Sequence, residues 1–293
     1  MLEAGLVRLL APNPSPLTGE GTNTYLLGED ALIVIDPGPD LQRHLQALLA
    51  EIGARKVAAI LVTHSHQDHS GLVQKLKAAT GAPCYGFGPS GAGRSRAMAE
   101  LAARGDLGGG EGADPHFQPD QTLADGALLE LAGQKIEALH TPGHFGNHLC
   151  FAWNGALFSG DHVMGWATTL VSPPDGDLTD FMASLGRLSH RSDRAFYPGH
   201  GAPVFDPARR VKELLDHRNA REAQVLDALQ SGPMTPGELA AAIYTEIPKH
   251  LLGAAERNVL AHLIDLALHG KVAPEGPLTA TTRFAAPGQD FSA

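Results

Sequence analysis

The length, composition and charge of this chain exclude several classes of protein. With 293 residues, of which 43% are hydrophobic and 18% charged, it can bury a large core and is not a candidate for intrinsic disorder. The formal net charge of -10 disfavours a broad nucleic-acid surface, because such surfaces are usually basic. No run approaches the roughly 20 apolar residues that a membrane helix needs.

The cysteines and the amino terminus indicate the compartment. Cys84 and Cys150 lie far apart and lack the spacing of a CxxC motif, so we expect two buried, reduced thiols. The first residues do not have the pattern of a signal peptide. We therefore expect a cytoplasmic protein that does not bind a membrane.

The first part of the chain predicts strands that alternate with helices. Two short strands are expected within 22–40, followed by a helix over 39–53 and a strand over 56–66. The next helix closes at Gly81, and a short helix over 95–104 interrupts a glycine-rich segment. This alternation is typical of an α/β protein whose functional residues lie at the carboxyl ends of strands.

The rest of the chain predicts a second set of strands and then long helices. Strands are expected at 126–139, 148–153, 156–160 and 194–197, with a helix over 178–190. After residue 206 we predict helices over 208–230, after Thr235-Pro236 and over 248–269, and then strands at 271–273 and 281–284. Three helices and a hairpin are the pattern of a winged helix. We therefore predict two domains, 1–206 and 207–293.

One short segment, residues 63–71 with the sequence THSHQDHSG, concentrates imidazoles and a carboxylate. His64 and His66 end a predicted strand and can converge on one point, while Asp68 and His69 can address a second point nearby. Three later segments, TPGH, SGD and PGH, each bring one further ligand type to the end of a strand: His144, Asp161 and His200. Imidazole and carboxylate groups bind zinc, so a metal centre is predicted.

These motifs carry a resemblance to a known family. HSHQDH, TPGH, SGD and PGHG, in this order, resemble the metallo-β-lactamase-fold hydrolases, which include glyoxalase II, over roughly residues 5–205. GTNTYLLG (21–28), SHQDHSG (65–71) and DHRNAREAQVLDAL (216–229) resemble the beta-lactamase-like protein 2 family. The resemblance implies an αββα sandwich followed by a winged-helix-like domain, with the site at one edge between the sheets.

The resemblance also implies two metal sites that share one ligand. The first site would use His64, His66 and His144; the second would use Asp68, His69 and His200; Asp161 would bridge them. The expected ions are two Zn²⁺, with Mn or Fe as alternatives. Asp68 and Asp161 are the predicted catalytic residues.

Several polar residues near these motifs have other expected roles. Asp36 is predicted to orient a ligand histidine or a loop amide, with a turn-capping role as the alternative. His148 is predicted beside the ligands in a structural role, with contact to substrate as the alternative. His140 and His162 are expected to be structural, Asp175 and Asp177 to be turn residues, and Arg94 and Arg96 to be solvated.

The predicted reaction is hydrolysis of a small-molecule ester, thioester, lactone or similar substrate by a metal-bridging hydroxide. The alternative implied by the narrower family is an endoribonuclease acting on single-stranded RNA, and a mononuclear iron persulfide dioxygenase is a more distant alternative. The winged helix could pack against the catalytic domain, form a homodimer or bind nucleic acid.

Overall fold

The computed structural model describes residues 3–110 and 112–289, and its first sheet contains six strands in the order β1-β2-β3-β4-β5-β6. These are β1 (Leu6–Leu10), β2 (Asn23–Leu27), β3 (Ala31–Ile35), β4 (Lys56–Leu61), β5 (Cys84–Gly86) and β6 (Gln121–Thr122). The first three strands pair antiparallel, whereas β3 to β6 run parallel. The carboxyl ends of β3 and β4 therefore lie at the same edge of the sheet.

The second sheet has five strands in the order β11-β10-β9-β8-β7. They are β7 (Ala127–Leu131), β8 (Gln134–His140), β9 (Leu149–Trp153), β10 (Ala156–Gly160) and β11 (Ala195–Pro198). Only β10 and β11 pair parallel; the others pair antiparallel. Parallel pairing again brings two carboxyl ends to one edge.

Helices α1 (Gln42–Ile52), α3 (Val73–Thr80) and α5 (Leu178–Ser189) cover the outer faces of the sheets. This part of the chain also contains α2 (Gln67–Ser70) and α4 (Arg96–Arg104). Leu48 of α1 and Leu76 of α3 pack under the first sheet, and Phe181 of α5 packs against the second. Between the sheets, Tyr25, Phe158 and other buried apolar side chains form the central core. The predicted αββα sandwich is confirmed.

The C-terminal region consists of three helices and a small hairpin. They are α6 (Pro207–Ala228), α7 (Pro236–Ile243), α8 (Leu252–Leu268), β12 (Ala273–Pro274) and β13 (Phe284–Ala285). This is the predicted winged-helix arrangement. The first half of α6 packs against the second sheet through Val211, and its second half joins the C-terminal core through Val225. Because α6 contributes to both cores, the boundary at 206/207 stays a prediction.

The structure corrects the predicted strand over 126–139. The chain reverses at Ala132 and Gly133, whose φ angles are 50° and 73°, so the segment forms the hairpin of β7 and β8. Two successive residues with positive φ are typical of a tight hairpin turn. Three strands, β1, β5 and β6, lie outside the predicted elements; the last two have only three and two residues.

Two further expectations can be compared with the structure. Both cysteines are buried and free, as predicted, and burial raises the pKa of each thiol to about 12. Across the described ranges, none of the helices combines the length and apolar character required to cross a membrane.

Candidate metal centre

The predicted ligands lie at one edge of the sandwich because each follows a strand that ends there. His64 and His66 lie just beyond β4, and His144 lies beyond β8. Asp161 directly follows β10, and His200 lies two residues beyond β11. The parallel pairs β3–β4 and β10–β11 thus bring potential ligand side chains from both sheets to the same edge of the sandwich.

Four of these side chains form a first group: His64, His66, His144 and Asp161. Nε2 of His64 lies 2.9 Å from Nδ1 of His66, which lies 3.1 Å from Nε2 of His144. The same His144 nitrogen lies 3.7 Å from Oδ2 of Asp161. Such separations suit nitrogens that bind one zinc ion, each at about 2.0–2.1 Å.

Asp68, His69 and His200 form a second group, next to the first. Nε2 of His200 lies 3.2 Å from Oδ2 of Asp68, and Nε2 of His69 lies 3.5 Å from it. Asp161 reaches this group as well: Oδ2 lies 3.2 Å from His200, and Oδ1 lies 3.4 Å from His69. Asp161 therefore stands between the two groups. The assignment of the seven residues as ligands stays a prediction.

Hydrogen bonds on the far sides of two rings orient them toward the centre. Nδ1 of His144 lies 2.7 Å from the Leu170 carbonyl, and Nδ1 of His200 lies 3.1 Å from the Gly21 carbonyl. A carbonyl oxygen can only accept, so each Nδ1 carries the proton in the neutral ring. The Nε2 atoms that face the centre are then unprotonated, as a metal ligand requires.

Asp36 has the same effect on one histidine of each group. Its carboxylate accepts from the Thr63 amide and the Thr63 hydroxyl, both at 2.7 Å, and from Nδ1 of His69 at 2.9 Å. Because the Thr63 hydroxyl donates to Asp36, it is free to accept from Nδ1 of His64, 3.0 Å away. The contacts predicted for Asp36, with a ligand histidine and with a loop amide, are both present.

The two groups differ in their electrostatics. In the first group, burial lowers the pKa of His66 to about 3 and also lowers the pKa of His64 and His144. In the second group burial opposes protonation too, but the Asp161 and Asp68 carboxylates outweigh it and raise the pKa of His200 to about 10. The pKa of His69 is raised for the same reason. In the absence of a cation, protons on His69 and His200 therefore balance the negative charge of the Asp68 and Asp161 carboxylates.

The surroundings fit a cation. Nε2 of His69 and Oδ1 of Asp161 are buried, and neither makes a hydrogen bond within the part of the chain that the structure describes. A Cβ atom on Gly199 would lie 2.5 Å from Oδ1 of Asp161 and 2.5 Å from Cε1 of His69, so only glycine permits this close approach. Imidazole and carboxylate donors together suit zinc, and also manganese or iron.

His148 is fully buried, with Nδ1 2.9 Å from the Thr141 hydroxyl, which fits the predicted structural role. One expectation near the site needs correction. Arg94 is only 24% exposed and forms an ion pair with Asp175, so it is not simply a solvated surface residue. Arg96, with 93% of its side chain exposed, is solvated as predicted, and Asp177 caps the first turn of α5.

Some residues that shape the site were not predicted from the sequence. The Thr22 hydroxyl donates to Oδ2 of Asp68 at 2.9 Å, and the carbonyls of Gly21 and Leu170 hold two histidines. Thr22 lies in the GTNTYLLG segment, which carries the resemblance to the beta-lactamase-like protein 2 family. That segment does not indicate that the Thr22 hydroxyl contacts Asp68. A carbonyl acceptor such as that of Leu170 leaves no signal in the residue type, because every residue has one.

Comparison with known proteins identifies related chains over nearly the whole length. A family described as the metallo-beta-lactamase superfamily matches residues 17–200, and one described as the beta-lactamase associated winged helix domain matches residues 235–277. The chain is 32% identical to the beta-lactamase-like protein 2 homolog of Drosophila melanogaster, over 92% of this chain and 90% of that one.

Two further relatives extend this comparison. The chain is 33% identical to a protein of Aspergillus fumigatus named atrochrysone carboxyl ACP thioesterase, over 92% of this chain and 81% of that one. The solved structure of a metallo-beta-lactamase family protein from Thermus thermophilus is similar with a TM-score of 0.78 and 30% identity, covering 98% of this chain and all of that one.

Proposed function

The chain belongs to the metallo-beta-lactamase superfamily and is a metal-dependent hydrolase. From that premise we propose that it holds two divalent cations, with zinc as the preferred ion. We propose further that it cleaves a thioester or a related carboxylic ester. The first cation would be held by His64, His66 and His144, and the second by Asp68, His69 and His200. Asp161 would be shared by both.

One observation carries the two-cation proposal: both oxygens of Asp161 face imidazole nitrogens, and these nitrogens belong to different groups. Oδ2 lies 3.7 Å from His144 and 3.2 Å from His200, whereas Oδ1 lies 3.4 Å from His69. A carboxylate that served one ion alone would not need imidazoles of both groups around it. Burial of the centre would also strengthen its interactions with charge that develops during the reaction.

Cations held by these residues would supply a nucleophile at neutral pH, since such ions lower the pKa of bound water from 15.7 to about 7, and would polarise a substrate carbonyl. The protein residues position this chemistry. Asp68 keeps 26% of its side chain exposed, while the side chains of His69 and His200 are almost completely buried. Asp68 is therefore the member of its group that meets solvent, and we assign it to orient the attacking water and accept its proton.

The preference for a thioester has two supports. A relative with 33% identity over 92% of this chain is named as a thioesterase. In addition, a thiol has a pKa of about 8.5, so it departs as an anion without a strong proton donor beside it. Esters and lactones have the same carbonyl centre and remain within the proposed class.

Cleavage of single-stranded RNA is the alternative, supported by the relative named beta-lactamase-like protein 2 homolog and opposed by the net charge of -10. A mononuclear iron dioxygenase is a weaker alternative, since such an enzyme would need only one of the two groups. The cytoplasmic location and the homodimer stay predictions.

The test combines metal content with a substrate panel. Protein loaded with zinc is assayed on acyl thioesters, esters, lactones and end-labelled single-stranded RNA, beside Asp161→Asn and the surface control Asp125→Asn. We expect thioester cleavage that Asp161→Asn lowers by at least about 100-fold, while Asp125→Asn stays near wild type. RNA cleavage with the same dependence on Asp161 would select the alternative. Full activity of Asp161→Asn on any substrate would contradict the proposed centre.

A further inference from the structure

The loop of residues 162–176, between β10 and α5, contacts two of the proposed ligands from outside. The Thr169 hydroxyl donates to the backbone carbonyl of Asp161 at 2.6 Å. The Leu170 carbonyl accepts from Nδ1 of His144 at 2.7 Å. This loop therefore fixes the ring of His144 and the backbone of Asp161, two residues of the first group.

The other side of the loop is bound by the C-terminal helices. Arg210 of α6 donates to the carbonyls of Met164 and Ala167, at 2.7 and 2.8 Å. Further along, Arg218 of α6 donates to the carbonyl of Thr169. Two residues of α8 continue the series: Asn258 accepts from the Val171 amide at 3.1 Å, and Arg257 donates to the Ser172 hydroxyl at 2.8 Å. Side chains from the two helices thus hold the loop along most of its length.

Arg218 and Asn258 form the centre of this contact. Oδ1 of Asn258 accepts from Arg218 at 3.0 Å as well as from the Val171 amide, so one atom joins both helices to the loop. Arg218 is 2% exposed and lies over the Phe181 ring, 5.2 Å from its centroid. Burying a cation among neutral dipoles is costly, so the hydrogen bonds of Arg218 to Asn258 and to the Thr169 carbonyl help to stabilise it here.

The burial of α8 shows what this helix contacts. Leu260 and Ile264 pack with Met98 and Leu101 of α4, while Val259 and other residues of α8 face the C-terminal core. A recognition helix of a nucleic-acid-binding winged helix needs an exposed face that can enter a groove. The sides of α8 are instead occupied by the catalytic domain and by the core of its own region.

We propose that the C-terminal region is a positioning module for the metal centre, in which Arg218 and Asn258 act as positioning residues for His144 and Asp161 through the 162–176 loop. The proposal rests on the proposed function in one respect, since it takes the first group to bind a cation. It assigns the winged helix a role inside the enzyme and requires no nucleic acid.

The test measures metal binding directly. Zinc is titrated into the metal-free full-length chain in competition with a chelator, and wild type is expected to bind two ions. Asn258→Leu removes the acceptor shared by Arg218 and Val171. We expect it to bind the ion of the first group about 10-fold more weakly, because His144 belongs to that group alone, and to weaken the second ion less, through the shared Asp161. Asn258→Asp keeps an acceptor at the same place and is expected to restore wild-type binding.

A matched control separates positioning from loss of stability. Leu263→Ala creates a cavity in the C-terminal core, where Leu263 is buried among apolar residues away from the 162–176 loop. At a temperature where circular dichroism shows all variants folded, this control should bind both ions normally. The proposal is overturned if Asn258→Leu binds both ions like wild type, or if Leu263→Ala weakens binding equally. Wild type that binds fewer than two ions would contradict the proposed centre itself.

Discussion

His69 donates its Nδ1 proton to Asp36 across 2.9 Å, and neither side chain is more than 3% exposed. Asp36 lies at the end of β3, outside the seven proposed ligands, and has a φ of 50°. Aspartate and asparagine adopt such a conformation more readily than most residues. The carboxylate accepts three hydrogen bonds here, and these connect the two ligand groups.

We predict that Asp36→Asn weakens zinc binding by about 10- to 100-fold, with a similar loss of activity. Asparagine keeps the shape and tolerates the positive φ, but its NH₂ group donates where the carboxylate accepts. Facing His69, it would favour the tautomer that carries the proton on Nε2, which cannot bind a cation. Competition with a chelator measures the affinity. Asp120→Asn is the control, since Asp120 also accepts from a backbone amide but lies away from the centre. Equal zinc affinity in Asp36→Asn and wild type would refute this role.

A second prediction concerns the close approach at Gly199. In Gly199→Ala the added methyl group would lie 2.5 Å from both Oδ1 of Asp161 and Cε1 of His69, so one or both must move. We expect at least one ion to be lost on dialysis, with activity reduced by about 100-fold or more, because misplacement of about 1 Å has that effect on catalysis. The measurement is metal content after dialysis against buffer.

Gly186→Ala is the matched control for that substitution. Gly186 lies within α5, and no atom lies within 4 Å of the position its Cβ would take. Alanine in a helix interior stabilises by about 0.5–1 kcal/mol relative to glycine. The control should therefore keep its metal and melt at a slightly higher temperature. A Gly199→Ala protein with full metal content would show that the centre can relax around a methyl group.

The metal centre is more predictable from sequence than the contacts that support it. Ligand residues such as His64 and Asp161 follow predicted apolar strands, and the motifs that contain them indicate both position and chemistry. The supporting contacts use backbone carbonyls, as at Leu170, or residues of ordinary appearance, as at Asn258. The role of Asn258 depends on how α8 packs on the 162–176 loop, which lies far earlier in the chain. A local sequence pattern cannot predict such a long-range contact. The short β5 and β6 were missed because their residues number too few to show a period.

A third prediction concerns His262, a buried histidine of α8. Neither of its ring nitrogens has a hydrogen-bond partner among the described residues. Burial, followed by the nearby Arg218 guanidinium, lowers the pKa of His262 to about 3. Below pH 6.5 the unfolded chain binds a proton at His262 and the folded chain does not. The free energy of unfolding is therefore unaffected by this group above pH 6.5 and falls as the pH decreases toward 3.

The slope from this one group is about 1.4 kcal/mol per pH unit at most. We therefore expect His262→Leu to lose less free energy of unfolding than wild type between about pH 6 and about pH 4.5, by about 1–2 kcal/mol. Denaturant unfolding at several pH values measures the difference. His116→Leu, which changes an exposed histidine, should follow the wild-type profile. Parallel profiles for wild type and His262→Leu would contradict the buried neutral state.

The last prediction concerns pH and the binding of the two ions. Burial keeps the histidines of the first group neutral, since it lowers the pKa of His66 to about 3. In the second group the carboxylates overcome burial and raise the pKa of His200 to about 10, and that of His69 is raised as well. A cation must displace these protons, because only the neutral ring is a ligand.

Between about pH 7 and about pH 9 we therefore expect the affinity of the first ion to change little. The affinity of the second ion should rise about 10-fold per pH unit for each proton released, up to about pH 10 for His200. Zinc titration calorimetry in buffers of different ionisation enthalpy counts the protons released. The metal-free protein should lose stability over the same range, because a raised histidine pKa stabilises the fold below pH 6.5 and this contribution disappears as the pH rises through the folded pKa. Two ions with the same pH dependence would mean that the two groups do not differ in charge as described.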